Sequence, residues 1–260
     1  MTYRWARRSL QACIGIGIGI GLALALGGAA RADETSGAAG LPVEQIEKIV
    51  RDYLMREPEL IYQALEELQR RQAAAEVERQ RAAIAANREQ LNNDAGDPVA
   101  GNPDGNVTLV EFFDYQCSYC RQVVQSVREL VDEDQELKVV FKEFPILGEA
   151  SVIAARAALA ARAQDRYLPF HFALMGTRDL SLDGIMQLAE QVGLDTERLA
   201  RDMHAPAIDQ QLRANFTLAQ ELGIEGTPAF VIGEQVVPGA VDKRRLAGLV
   251  EEVRANCLTC

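Results

Sequence analysis

The sequence predicts an α/β fold with an inserted helical domain, preceded by a separate α-helical segment. A strand-like apolar run at residues 107–113, a helical stretch and a second apolar run at residues 137–144 together make a β-α-β unit. A strand, a two-residue turn, another strand and a closing helix follow from residue 229. Residues 149–222, between these halves, show only helical patterns and are predicted to be the insertion.

Residues 1–32 have the features of a signal peptide. Arginines at positions 4, 7 and 8 precede an apolar run from Ala12 to Leu26, and Ala30-Arg31-Ala32 supplies the small residues that a signal peptidase accepts. We therefore expect cleavage after Ala32 and a mature protein in the periplasm. The alternative is an uncleaved membrane anchor, because the run extended to Ala30 is nearly long enough to span a bilayer.

The charge of the chain argues against nucleic acid as a partner. The formal net charge is −11 at pH 7, and cleavage would remove four arginines and no acidic residue, which makes the mature chain −15. Nucleic-acid phosphates would repel such a chain. The 228 residues left after removal of 32 from 260 are enough for one sizeable core plus an appendage.

Residues 41–91 are predicted to be an N-terminal helical oligomerisation region. The stretch contains no glycine, and Pro58 stands where a second helix would begin. Two amphipathic helices cannot bury their apolar stripes alone. We expect self-association as a homodimer or homotrimer; the alternative is packing against the protein's own main domain. The stripes contain Val43, Ile46, Ile49, Val50 and Tyr53, then Leu60, Ile61, Ala64, Leu65 and Leu68, then the thin heptad Val77, Ile84 and Leu91.

Residues 92–106 are polar and rich in Gly, Asn, Asp and Pro, so they are predicted to be a linker to the main domain at residues 107–256. Strands are expected in this domain at 107–113, 137–144, 229–232 and 235–238. Helices are expected at 117–134, 151–164, 166–178, 181–192, 196–203, 208–222 and 241–255.

Cys117-Ser118-Tyr119-Cys120 lies between the first strand and the first helix of the main domain. Zinc would need two further ligands, and the only histidines, His171 and His204, are distant and lack metal spacing. A structural disulfide across three residues would close almost no loop and stabilise little. The sequence therefore favours a redox-active pair that needs neither a metal nor a cofactor.

The position of each cysteine predicts its role. Cys117 would begin the helix, where unpaired N–H groups and the helix dipole favour a thiolate, so it is predicted to be the nucleophile. Cys120 would project from the same face one turn later. It is predicted to be the resolving thiol, which attacks a mixed disulfide formed at Cys117.

Glu111 stands in the middle of the first apolar strand, where a charge is costly unless it has a task. Burial would raise its pKa, so that it could accept or return the proton of Cys120. The alternative is a glutamate at a strand edge that pairs with Lys142.

Gly226-Thr227-Pro228-Ala229-Phe230 leads into the third strand of the main domain. A simple turn is one interpretation. A cis Thr227–Pro228 bond would instead turn the chain beside the cysteines and leave the backbone of Thr227 free to pair with an extended substrate.

The segments Glu111-Phe112-Phe113, Cys117 to Cys120, Phe144-Pro145 and Gly226 to Phe230, with a helical block between them, resemble the DsbA family of thioredoxin-fold thiol:disulfide oxidoreductases. The resemblance covers about residues 107–253. It implies a thioredoxin fold with an inserted helical domain, Cys117 as nucleophile, Cys120 as resolving cysteine, a cis Pro228 and a buried Glu111. Exported proteins with cysteines are then the expected clients, and a membrane redox partner is expected to reset the pair.

The N-terminal extension, with Arg56-Glu57-Pro58-Glu59 at its helix junction, resembles the ScsC-like and Com1-like members that oligomerise through such helices. Ser118-Tyr119 lacks the histidine that the best-known oxidases carry between their cysteines, and a threonine before the cis proline resembles the disulfide isomerases. We therefore expect an oligomeric isomerase or a dual-function enzyme. The alternative is a non-enzymatic envelope chaperone or a copper-binding scaffold that uses the helices and the thiols.

Cys257-Leu258-Thr259-Cys260 ends the chain. In an exported protein with four cysteines left after cleavage, disulfides are the default. A terminal disulfide that caps the last helix is favoured, and a second redox pair that relays electrons to Cys117 and Cys120 is the alternative.

Overall fold

A computed structural model describes residues 41–256, which divide into two compact units between Leu60 and Ile61. The predicted signal peptide at residues 1–32 and the terminal Cys257 and Cys260 lie outside the described residues. The first unit contains helix α1 (Val43–Arg56) and the beginning of α2 (Glu59–Ala86). Helical spacing of apolar residues predicted both helices. The apolar side chains of α1 are exposed along one stripe, which contains Val43, Ile46, Ile49, Val50 and Tyr53.

The second unit is built on a five-stranded mixed sheet with the strand order β1-β3-β2-β4-β5. The strands are β1 (Val99–Gly101), β2 (Val107–Phe113), β3 (Leu137–Glu143), β4 (Ala229–Ile232) and β5 (Gln235–Pro238). The central strands β2 and β3 are parallel, and the other neighbours are antiparallel. A parallel pair needs a crossover, which the helix between β2 and β3 supplies.

Helices cover both faces of the sheet. Besides α2, the second unit has α3 (Arg88–Asn93), α4 (Ser118–Glu133), α5 (Glu149–Ala161), α6 (Tyr167–Gly176), α7 (Leu182–Gln191), α8 (Thr196–Asp202), α9 (Pro206–Glu221) and α10 (Lys243–Asn256). Helices α4 and α10 pack on the first face and share a core with the insertion helices α5 to α8. The end of α2 with α3 and α9 covers the second face. The predicted thioredoxin fold with inserted helices is confirmed, and the predicted helices differ from the observed ones only at their ends.

Residues 92–106 differ from the linker that their composition predicted. Helix α3 ends at Asn93, β1 pairs with β3 at the edge of the sheet, and Asp97 is buried. The Gly, Asn, Asp and Pro residues form the turns between these short elements. A strand of three residues is too short to show an alternating pattern, which is why the composition alone was misleading.

The last part of the predicted oligomerisation region packs on the protein's own main domain. Ile84 and Leu91 are buried in the cluster that contains Val110 and Phe112 of β2. Gln80 Nε2 also donates a hydrogen bond to the backbone oxygen of Leu222, 3.1 Å away. Apolar side chains on the second face of the sheet need a cover, and these residues supply it. The thin heptad therefore does not continue as a self-association surface to residue 91.

Candidate active site

The reactive pair lies where β2 leads into α4. Cys117 is the N-cap residue of α4, and its Sγ accepts a hydrogen bond from Cys120 N at 3.4 Å. The same Sγ donates to the backbone oxygen of Thr227 at 3.2 Å. Its backbone N donates to the oxygen of Asp114 at 3.1 Å. Cys117 and Cys120 are not joined by a disulfide in the structure. The Cys117 sulfur stands at a helix N-terminus, as the sequence predicted.

Cys120 lies one turn further along α4 and is fully buried against the first face of the sheet. Burial raises the pKa of its thiol far above the usual range, and the nearby charge of Glu111 raises it further, whereas a hydrogen bond with the backbone of Asp114 lowers it. A buried thiol of this kind holds its proton strongly. Its ionisation therefore needs a proton acceptor close by.

Glu111 occupies the centre of the sheet, because β2 lies between β3 and β4. Its side chain is 2% exposed. Burial raises its pKa to about 8. Side chains alternate along a strand, and Leu109 and Phe113 belong to the first-face cluster, so Glu111 lies on the face that carries Cys120. The burial implied by the family resemblance is confirmed.

The alternative partner of Glu111 is excluded by the register. Lys142 lies beside Phe112, whose side chain is in the second-face cluster, so Lys142 and Glu111 lie on opposite faces. Lys142 instead forms a buried ion pair with Asp97, and its Nζ donates to the oxygen of Gln90 at 2.5 Å.

The Thr227–Pro228 peptide bond is cis, as the resemblance implied. Pro228 is buried, and its oxygen accepts a hydrogen bond from Gly239 N at 2.8 Å. Thr227 is half-buried, and its oxygen faces the sulfur of Cys117. The structure brings Thr227, Cys117 and Cys120 into contact. Pro228 follows Thr227 in the chain, and Glu111 lies on the face of the sheet that carries Cys120.

A buried carboxylate between β2 and the dithiol was missed at the level of sequence. Asp114 is 1% exposed and accepts hydrogen bonds from the backbone of Gln116 and from the hydroxyl of Ser151, among others. An acidic residue directly after an apolar strand and three positions before a nucleophile is a local signal that could have found it.

A second missed cluster lies at the end of β3. Glu143 Oε1 accepts hydrogen bonds from the hydroxyls of Tyr115 and Tyr167, each at 2.9 Å, and the Tyr115 hydroxyl is 3.1 Å from His171 Nδ1. Burial raises the pKa of Glu143 well above its usual range and lowers the pKa of His171 to about 3. His171 is therefore a neutral core residue. Among residues 41–256, no group of three or more His, Cys, Asp or Glu side chains is arranged to hold a metal ion.

Two family models match the chain. Residues 108–251 match the model described as a DSBA-like thioredoxin domain, and this range contains the whole site. Residues 43–75 match the model described as the N-terminal domain of copper resistance protein ScsC. The second match covers α1 and the first part of α2 and ends before the buried Ile84.

Solved structures show the same relationship. A thioredoxin-like oxidoreductase from Silicibacter pomeroyi DSS-3 is 49% identical with a TM-score of 0.64, and the match covers 66% of this chain and 99% of that chain. Proteus mirabilis ScsC in a transitional conformation is 31% identical with a TM-score of 0.63, and the match covers 83% of this chain and 98% of that chain. Both are similar to this chain well beyond the dithiol itself.

Among curated proteins, the Na(+)/H(+) antiporter NhaA of Herminiimonas arsenicoxydans is 28% identical over 165 residues. The match covers 63% of this chain but only 26% of that protein. This chain thus spans about a quarter of the length of such relatives. The antiport activity in that name is said of that protein alone.

Proposed function

Because the chain belongs to the family of DsbA-like thioredoxin-domain proteins, we propose that it forms or isomerises disulfides in exported proteins through Cys117 and Cys120. The position of the Cys117 sulfur is the observation that carries this proposal. It lies within hydrogen-bond distance of the N–H of Cys120 and of the oxygen of Thr227, above a fully buried second thiol. Donors at a helix start stabilise a thiolate, which is the form that attacks a disulfide.

Isomerisation uses only the first cysteine. The Cys117 thiolate attacks a client disulfide, so that one S–S bond breaks, a mixed disulfide forms at Cys117 and a client thiolate leaves. This thiolate attacks another client disulfide. When a later client thiolate attacks the mixed disulfide, Cys117 is released unchanged, and no net electrons are transferred.

Oxidation uses both cysteines. A client thiolate attacks Cys117 of the Cys117–Cys120 disulfide, and Cys120 leaves as a thiolate that takes a proton from the carboxyl of Glu111. The second client thiolate then attacks the client sulfur of the mixed disulfide, which forms the client disulfide and releases Cys117 as a thiolate. Two electrons pass from the client to the pair, and a membrane redox partner that accepts them would reset the disulfide. The pKa of about 8 for Glu111 supports this role, because the group can give and take a proton near neutral pH.

Self-association of the chain, which we propose here, would support the isomerase side of the proposal. The apolar stripe of α1 and of the first part of α2 is exposed, with Ile49 57% exposed and Leu65 53% exposed. A second copy of the chain, in a homodimer or homotrimer, would bury it. Several dithiols around one client raise the effective concentration of the attacking thiolate. Ser118-Tyr119 supplies no positive charge that would favour a dedicated oxidase.

The surroundings of the dithiol suit unfolded clients. Tyr119 is 62% exposed and Leu147 50% exposed. A pocket of about 500 Å³ lies between the loop after β3 and the segment that leads to Thr227. It is lined by Phe144, Ile146, Phe216, Gln220, Gly223, Ile224 and Glu225. Apolar side chains beside a client cysteine would find contacts here.

Export to the periplasm belongs to the same proposal. It rests on the signal features of residues 1–32 and on a dithiol that needs an oxidising compartment. In the described part of the chain, no helix combines the length and the apolar character that a bilayer crossing requires.

The decisive experiment uses the reduced mature protein in two assays, insulin reduction and reactivation of scrambled ribonuclease. Wild type is expected to accelerate both, and Cys117→Ala is expected to abolish both. Cys120→Ala should accumulate a mixed disulfide at Cys117, because no resolving thiol remains. Wild-type rates no higher than those of Cys117→Ala would reject the enzyme.

Copper binding is the second candidate, favoured by the match of residues 43–75 to a domain described with copper resistance. Two thiolates accept Cu(I) readily. The complete burial of Cys120 weighs against it, because the metal would have to reach a thiol without access to solvent. Stoichiometric Cu(I) binding by the mature protein, together with inactivity in both disulfide assays, would favour this candidate.

A further inference from the structure

We propose that Asp114 is a positioning residue for Cys117, and that with Ser151 it ties the loop before the dithiol to the start of the helical insertion. The inference rests on the proposed function and adds to it the residues that hold the nucleophile in place. The carboxylate of Asp114 does not contact the sulfur of Cys117, so Asp114 acts through the residues that it holds in place.

The carboxylate of Asp114 accepts four hydrogen bonds from three segments of the chain. Oδ1 accepts from Gln116 N at 2.7 Å and from Ser151 Oγ at 2.6 Å. Oδ2 accepts from Ile146 N at 2.8 Å and from Leu147 N at 2.9 Å. A carboxylate offers only acceptors, so it suits a site where every neighbour donates. Asp114 is in none of the ion pairs found among residues 41–256, so its carboxylate acts on the surrounding loops through these four hydrogen bonds.

A hydrogen bond between Gln116 and Ser151 also joins the loop before the dithiol to α5. Gln116 Nε2 donates to Ser151 Oγ at 2.8 Å, and Ser151 is fully buried in the first turn of α5. Gly148, between the loop and α5, has a φ of +144°, and a Cβ there would lie 3.2 Å from Gln116 Nε2. The loop before the dithiol and the start of the insertion are therefore in direct, close contact.

The backbone of Asp114 connects this arrangement to the reacting atoms. Its oxygen accepts a hydrogen bond from Cys117 N at 3.1 Å. The Cys117 sulfur is held by contacts of 3.2 Å and 3.4 Å, which depend on where the backbone of residues 114–117 lies. A small displacement of this loop would move the Cys117 sulfur away from the helix N–H. Reactivity depends steeply on the position of the reacting atom, so such a displacement would lower it.

Positioning and charge make opposite predictions for Asp114→Asn. Loss of a nearby negative charge would favour the Cys117 thiolate and move its reactivity to lower pH. Displacement of the Cys117 sulfur from the start of the helix would instead disfavour the thiolate and move its reactivity to higher pH. An asparagine brings an NH₂ group against N–H donors, so at least one anchor must break, and the sulfur loses its fixed place at the helix start.

The experiment measures the alkylation rate of Cys117 by iodoacetamide against pH in the mature, full-length protein, with Cys120 replaced by alanine in all variants. For Asp114→Asn, the midpoint is expected to move to higher pH by about one unit, which is about a tenfold loss of rate at pH below the midpoint. Ser151→Ala keeps the charge and removes one anchor, so a smaller shift in the same direction is expected. Asp97→Asn alters an equally buried carboxylate on the other face of the sheet and should leave the profile unchanged.

An unchanged midpoint in Asp114→Asn, or a shift to lower pH, would overturn the positioning role. If Asp114→Asn does not fold, Ser151→Ala decides, and an unchanged profile there overturns the inference. Failure of the proposed function gives a different result, because wild type itself would then alkylate like a free cysteine and catalyse neither disulfide assay.

Discussion

The carboxyl of Glu111 and the thiol of Cys120 lie buried on the same face of the central sheet, and the charge of the first raises the pKa of the second. Neither group reaches solvent freely. We propose that Glu111, whose pKa of about 8 lies close to neutral pH, accepts the proton that leaves Cys120.

Replacement of Glu111 by glutamine should slow the resolving step. A glutamine cannot take the proton of Cys120, so the release of a mixed disulfide from Cys117 is expected to fall by roughly two orders of magnitude. The pH dependence near pH 8 should disappear as well. Stopped-flow measurement of peptide release across pH 6 to about 9.5 tests this, with the exposed Glu136→Gln as control. An unchanged profile in Glu111→Gln removes the proton-relay role.

The same substitution should change how stability depends on pH. The pKa of Glu111 rises from 4.5 to about 8 on folding, so between these values the folded state binds more protons than the unfolded state. The free energy of unfolding therefore falls as pH rises through this window, by up to about 1.4 kcal/mol per pH unit. Glu111→Gln is expected to be more stable than wild type at pH 8, with a difference that shrinks toward pH 4.5. If urea denaturation shows that the difference in unfolding free energy between the two proteins does not change with pH, the cost of burying the ionised Glu111 is contradicted.

The buried ion pair of Lys142 and Asp97 should be sensitive to the loss of one partner. Lys142→Met leaves Asp97 as an uncompensated buried charge, which is expected to cost about 3–5 kcal/mol of unfolding free energy. The double variant Asp97→Asn with Lys142→Met should recover part of this loss. Lys138→Met is the matched control on the same strand, because Lys138 contacts the neutral side chain of Asn93.

Urea denaturation at pH 7 measures all three variants. A Lys142→Met protein that loses no more stability than Lys138→Met would contradict the cost of leaving Asp97 without its partner.

The exposed stripe of α1 predicts the assembly. Ile49→Glu places a charge in the stripe and is expected to reduce the oligomer to a smaller species in light scattering. Ribonuclease reactivation should fall with it, whereas insulin reduction, which needs a single dithiol, should persist. Arg51→Glu, an exposed polar site on the same helix, is the control. A monomeric wild type, or an unchanged mass in Ile49→Glu, would favour a monomeric oxidase.

Much of the site could be predicted from local sequence. The apolar run before Cys117, the three-residue spacing to Cys120 and the charge at Glu111 all lie within residues 107–120, and local periodicity reports such neighbours well. Asp114 carried a similar local signal that was not used. Its partners Ile146, Leu147 and Ser151 could not be foreseen, because hydrogen bonds between residues more than thirty positions apart leave no local pattern.

The errors in the N-terminal part have the same cause. Ile84 and Leu91 fit a helical repeat equally well whether the helix packs on a second copy or on its own sheet. The tertiary structure decides between the two, because Ile84 and Leu91 cover the second face of β2. A deletion that reached residue 91 would expose this face. The composition of residues 92–106 predicted a linker, because it could not show that a short strand lies in this segment.

By itself, the sequence determined the elements other than the short strand β1, their order and the candidate reactive pair, because each depends on residues close to one another in the chain. Tertiary structure alone decided that Lys142 faces Asp97, which is 45 residues away, and that the Cys117 sulfur meets the oxygen of Thr227, 110 residues away. The register of the sheet sets which side chains share a face, and contacts between residues so far apart in the chain follow from packing and not from spacing.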